Sequence, residues 1–113
     1  MQLLNQTRAA NGLGPLSINP DLANTSRSWS ASMAQDGYLS HDPRLRDIVG
    51  MVVPGWTRAG ENVGSGTDVP GLHQAFWNSS DHRANMLGDF NQVGVGVVHS
   101  GGRIWVTFRF VKA

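Results

Sequence analysis

Two imidazoles and one carboxylate, His41, Glu61 and His82, are the side chains of this sequence best suited to chemistry. The groups available for proton transfer or metal ligation are four His, seven Asp and a single Glu, and that Glu is Glu61. Two His and a carboxylate make a ligand set for Zn²⁺ or Fe²⁺ when all three donors converge to roughly 2.0–2.2 Å from one ion. The same groups offer a second chemistry, in which Glu61 acts as general base with a His partner at a hydrogen-bond reach of about 2.6–3.2 Å. Spacing alone shows neither, because no HExxH helix or other short ligand motif is present. There is also no Gly-x-Ser-x-Gly elbow to support a triad built from Ser40, Ser79 or Ser80. No catalytic residue is therefore assigned, and Glu61 would become one only in a hydrolase. His73, inside an apolar helical pattern, and His99, beside a tight turn, read as partly exposed surface residues.

These three residues sit near the ends of elements, where functional side chains concentrate. An opening helix carries Leu3, Leu4 and Thr7 on one face and stops at Asn11-Gly12, with Pro15 just beyond. Asn19-Pro20-Asp21 supplies an N-cap, a proline at the first helical position and an acidic first turn to a second helix. Leu22, Trp29 and Met33 form its apolar stripe, and Gly37 ends it, so that His41 falls in the following loop. Asp42-Pro43 reads as the cap of a short helical turn that turns Leu45, Ile48 and Val49 inward. Glu61 falls on the edge of a brief strand, Ala59–Val63, with Gly64-Ser65-Gly66 after it as loop. Asp68 caps a helix with Leu72, Ala75 and Phe76 or Trp77 toward the core, and Ser79 or Ser80 caps a shorter one through Leu87 that carries His82. The alternation of Val93, Val95 and Val97, then Gly101-Gly102, then Ile104, Val106, Phe108 and Phe110 is a β-hairpin. Gly94 and Gly96 bare one side of its first strand, as a closely packed neighbour requires. Helices followed by a terminal hairpin argue for α+β layers, not a parallel βαβ sheet.

Composition narrows the function classes. The 113 residues suit one domain, 1–113, with a core large enough to need no covalent staples. Net charge is +1 and the nine basic residues are scattered, so nothing makes a phosphate-tracking stripe and nucleic acid is a poor partner. No apolar run is long enough to span a bilayer. Cysteine is absent, which removes disulfides, thiolate nucleophiles and cysteine metal sites together and leaves the compartment open. No charged n-region precedes an apolar stretch at the start, so a secretion signal, if one existed, is read as cut off or left out, and Met1 as an expression start.

The order of segments adds what the single residues do not. Leu-Leu-Asn-Gln-Thr-Arg-Ala-Ala-Asn-Gly-Leu opens the chain, followed by Leu-Ser-His41-Asp and Gly60-Glu61-Asn62. Then come Phe-Trp77-Asn-Ser-Ser-Asp-His82-Arg-Ala-Asn-Met-Leu and Val-Gly94-Val-Gly96-Val. Over essentially its whole length this resembles the CAP (SCP/PR-1-like) superfamily in a cysteine-free bacterial form. The resemblance implies an α+β fold, a three-layer α-β-α sandwich with a small antiparallel sheet, and a central cleft at whose positions His41, Glu61 and His82 fall. It implies a secreted or cell-wall-associated protein and favours a binding module, for a lipid, sterol or protein partner, over an enzyme. Alternatives are a divalent-metal site, Zn²⁺ above all, at His41, Glu61 and His82, with no cofactor otherwise required, and a hydrolase using Glu61. The second glutamate that larger members carry before the second His is missing, because Glu61 has no companion. Beside the motif, Asn62, Asn85 and Arg83 read as structural, Phe76 and Trp77 as core, and Asp81 as a charge that raises the pKa of His82.

Overall fold

In a computed structural model, which describes residues 2–113, Met1 and its reading as a start lie outside the described residues. The chain runs α1 (Gln2–Ala10), β1 (Ser17–Ile18), α2 (Pro20–Asp36), α3 (Leu45–Val52), β2 (Arg58–Gly66), α4 (Val69–Asn78), α5 (Ser80–Met86), β3 (Gln92–Ser100) and β4 (Arg103–Lys112). The four strands form one sheet in the order β1-β3-β4-β2. Both long pairings are antiparallel, and the two-residue β1 joins β3 in parallel.

Local chemistry explains the helix ends. Asn19 accepts from the Leu22 N–H at 3.1 Å with Pro20 at the first turn, and Gly37 closes α2 at φ 76°, its N–H bonded to the Met33 carbonyl. Asp68 caps α4 by accepting from the Gly71 N–H at 2.7 Å. Ser79 occupies the N-cap position of α5 without a side-chain capping bond. Two expectations are corrected. Asp42-Pro43 does not cap α3, which begins at Leu45 behind Arg44; the Asp42 carboxylate instead accepts from the Arg44 N–H at 2.9 Å. Gly64-Ser65-Gly66 is strand, paired with Val106, Trp105 and Ile104 of β4. A side chain at Gly64 would collide with Leu72 and Phe76, so the glycine serves packing where a loop was expected. Leu3 lies exposed, and α1 buries Leu4 and Arg8.

The period-2 alternation of the strands sorts residues into two cores. Toward α1, α4 and α5 face Val93, Ile104, Val106 and Phe110, packed with Leu4, Leu72, Phe76, Met86 and Phe90. Toward α2 and α3 face Val63, Trp105 and Val111, packed with Leu22, Met33, Val49 and Val53. Helix α2 lies directly on β3, because a Cβ at Gly94 or Gly96 would strike the backbone of Leu22–Ala23 or Ser26–Arg27. Ser26 and Ser30, one turn apart, donate to the Gly94 and Gly96 carbonyls, each at 2.9 Å, so the tight contact leaves no hydroxyl unpaired. The expected close approach is thus made by helix backbone.

Candidate functional site

Glu61 is the centre of the site. Register sets Glu61 of β2 opposite Arg109 of β4, on the sheet face that α2 covers. The Glu61 side chain is 2% exposed and that of Arg109 0% exposed, so neither charge has solvent to screen it. Glu61 Oε1 accepts from His41 Nδ1 at 2.9 Å and from the Asp42 backbone N–H at 3.0 Å. Glu61 Oε2 lies 3.4 Å from Arg109 Nε, an ion-pair contact without a formed hydrogen bond. Arg109 Nη2 donates to Asp42 Oδ2 at 2.6 Å. One buried guanidinium thus faces two buried carboxylates, and both are tied to the loop that carries His41.

That arrangement sets the imidazole. With Nδ1 donating to the carboxylate, His41 points its Nε2 lone pair outward, and 67% of the side chain is exposed. A carboxylate holding Nδ1–H is the usual orienting partner of a histidine that works through Nε2.

His82 is placed differently. Its ring packs on Phe76, centroids 4.9 Å apart, and its Nδ1 is buried without a hydrogen-bond partner among the described residues. The connection to Glu61 runs through amides. Asn62 donates to the His82 carbonyl at 3.0 Å, and Asn85 donates to the Glu61 carbonyl at 3.2 Å and to Asn62 Oδ1 at 2.9 Å. Arg83 donates to the Trp77 carbonyl at 3.1 Å with its guanidinium 5.6 Å above that ring. The amides hold α5 against β2 and Arg83 ties it to α4, the structural part expected of them. Burial pushes the His82 pKa below the ordinary histidine value, the nearby His41 pushes the same way, and Asp81 opposes them. Asp81 acts in the expected direction but is outweighed, because desolvation of the ring against Phe76 is the larger cause.

The structure therefore joins His41 to Glu61 directly and His82 only through the Asn62–Asn85 pair. Among the described residues no group of three or more His, Asp or Glu is placed to hold one metal ion. Both Glu61 oxygens already face protein donors, so the carboxylate fits the role of orienting partner better than that of ligand.

A second feature lies on the other face of the sheet. Between α1, α4 and the strands is a cavity of about 120 Å³, lined by Leu3, Leu4, Val69, Leu72, Phe76, Val95, Val97, Val106 and Phe108, with His73 its one polar neighbour. His73 is half-buried, in keeping with its reading as a partly exposed residue, and shares a 2.9 Å hydrogen bond with Thr7 that bridges α4 to α1. Phe76 belongs both to this cavity and to the packing around His82. His99 is exposed, as expected.

The fold and its motif residues are those of a CAP-type sandwich, and comparison with known proteins agrees. The model of the Cysteine-rich secretory protein family (CAP) matches residues 1–110, and the chain belongs to that family, although it contains no cysteine. It is 33% identical to YkwD of Bacillus subtilis (strain 168) over 98% of this chain and 45% of that protein. It superimposes at a TM-score of 0.85, with 30% identity, on an extracellular SCP-domain protein of Bacillus anthracis, covering 98% of this chain and 38% of the other. It shares the fold of an outer surface protein of Borrelia burgdorferi at a TM-score of 0.88 and 15% identity, over 98% of this chain and 87% of the other. The chain thus spans less than half the length of both Bacillus relatives.

Proposed function

We propose that the 113 residues act as one secreted or cell-wall-associated binding domain, and that the apolar part of its ligand seats in the cavity between α1 and α4. The observation that carries this reading is the lining, nine apolar side chains and one imidazole. An apolar cavity of this kind stays dry and gains by taking up hydrocarbon; an engineered one of about 150 Å³ binds benzene. At about 120 Å³ the space suits a segment of an acyl chain and is too small for a whole sterol. Leu3 and Val69, both exposed, stand at its mouth, where a longer ligand would emerge. The extracellular setting is supported by the Bacillus anthracis relative, itself an extracellular protein.

The hydrolase alternative has less support. A base needs an open edge to receive a proton, and both oxygens of Glu61 face donors within the protein. The divalent-metal alternative keeps one favourable feature, the outward Nε2 of His41, but lacks a third ligand among the described residues.

Titration with an environment-sensitive fluorescent fatty acid tests the reading. The parent should bind, Val97→Phe, which fills the cavity from a half-buried position, should lose binding at least tenfold, and His41→Ala should retain it. No binding by the parent, or equal binding by Val97→Phe, refutes the cavity as the site; loss in His41→Ala alone moves the ligand to the polar side.

A further inference from the structure

We propose that Arg109 is the resident cation of the polar site, doing there the charge balancing and positioning that a divalent ion would otherwise do, so that His41 is set for function without a metal. This goes beyond the cavity reading and does not depend on it. Trp105, Thr107, Arg109 and Val111 point toward α2, and Thr107 is satisfied there by Ser30 at 2.7 Å. Arg109 is the one charged member of that row, and it is fully buried. A guanidinium so placed needs buried partners, and this one has two anions, Asp42 and Glu61.

The division of labour between the two carboxylates fixes the loop. Glu61 holds backbone, through the Asp42 N–H, and the neighbouring imidazole, through Nδ1. Asp42 is held from β4 by Arg109 and in turn holds the Arg44 N–H. Residues 41 and 42 are thereby tied to β2 through Glu61, residues 42 and 44 to β4 through Arg109, and the cation lies against both carboxylates, so that Nε2 of His41 faces outward in a defined tautomer. A divalent ion bound to Glu61 would have to displace the His41 or Asp42 donor, or settle beside the guanidinium on the same carboxylate, where like charges oppose it. The guanidinium and the loop together engage both carboxylates, which leaves the site crowded for a metal, while Nη1 of Arg109 is buried without a hydrogen-bond partner among the described residues.

Arg109 is on this argument a positioning residue, acting on His41 through Glu61 and Asp42. Nitrogen-15 correlation spectra of the His rings read it directly, since they report tautomer and not merely folding. In the parent, after chelator treatment, His41 should show the Nδ1–H form, and equimolar Zn²⁺ should leave the His41 and His82 signals in place. Arg109→Met should convert His41 to the mixed tautomers of a free imidazole, and Arg109→Lys, which keeps the charge, should restore much of the parent signature. Stoichiometric movement of both rings on adding Zn²⁺ to the parent overturns the proposal. So does an unchanged His41 signature in Arg109→Met. Should Arg109→Met not fold, the Zn²⁺ titration of the parent and the tautomer in Arg109→Lys still decide: a free-imidazole mixture in folded Arg109→Lys refutes positioning by the cation.

Discussion

Removing Arg109 and removing one of its carboxylates should have very different costs, and the asymmetry measures how the buried charges are arranged. In Arg109→Met the carboxylates of Asp42 and Glu61, both buried, lose their common cation. Breaking a buried pair by deleting one partner costs about 3–5 kcal/mol, and here two anions are stranded, so the upper part of that range applies. In Glu61→Gln the side-chain oxygen still accepts from His41 and from the Asp42 N–H, while Asp42 and Arg109 remain an electroneutral pair joined at 2.6 Å. What is lost is the charge assistance in two hydrogen bonds, together with a new N–H facing Arg109 Nε, or about 1–2 kcal/mol. The triple variant Asp42→Asn, Glu61→Gln, Arg109→Met carries no buried charge at the site and should regain most of the stability that Arg109→Met loses. Urea unfolding at pH 7 measures all three, with an unchanged m-value as the sign that only stability has moved. For a chain of this size, 4 kcal/mol corresponds to a fall of roughly 15–30 °C in Tm. The reasoning fails if Glu61→Gln costs as much as Arg109→Met, or if the triple variant is no more stable than Arg109→Met.

Gly96→Ala should destabilise by about 3 kcal/mol or more, because the added methyl meets the α2 backbone at Ser26–Arg27 and lifting the helix breaks the serine bonds to β3. Gly14→Ala, where nothing lies within 4 Å, serves as the control and should stay within about 0.5 kcal/mol by denaturant midpoint. Equal effects of the two would contradict the contact. Stability should also fall on acidification, since burial holds both His82 and His73 below the usual histidine pKa. The sign follows from proton counting: below about pH 6.5 the unfolded chain takes up protons that the folded chain refuses. This contribution is complete above that pH and is lost progressively as pH drops toward the folded values. The urea midpoint should shrink between pH 8 and pH 5.5, and His73→Gln with His82→Gln should flatten part of that slope; an identical slope in the double variant would assign the loss to other groups.

Where a local rule names both the residue and the partner it needs, sequence reading succeeded. Asn19-Pro20 followed by Gly37 bounds α2 because cap and stop are chemical acts of single residues. The Gly94–Gly96 alternation forecast a close neighbour because a missing Cβ has few other uses inside a strand. Gly64 to Gly66 misled for the complementary reason. Two glycines around a serine look like a turn, and only the Leu72 and Phe76 side chains pressing on β2 show why a strand wants them there. Strand β1, two residues long, has no periodicity to detect.

The site divides along the same line. His41 and Glu61 were visible because their types are scarce, and their motif placed them together; the bond between them is a tertiary fact. Asp42 and Arg109 went unnoticed because ion pairing across 67 positions leaves no trace in local spacing. A weaker signal was nevertheless present. The β4 run alternates Ile104, Val106, Phe108 and Phe110 with Trp105, Thr107, Arg109 and Val111, so both faces are apolar on either side of the arginine. A strand of that kind is covered by a layer on each face, and an arginine at its inner position cannot reach water. It then needs buried acceptors, a carboxylate being the strongest, and Glu61 was the single glutamate of the chain. Arg8 escaped for a related reason. It is buried without a carboxylate, satisfied by the carbonyls of Gly14, Met86 and Gly88 at 2.9–3.0 Å, and a partner that is backbone has no residue type to search for. Buried arginines thus mark, in this chain, the two places where secondary-structure rules stop and tertiary organisation begins: one clamps α1 to the turn after α5, the other sets the loop that presents His41.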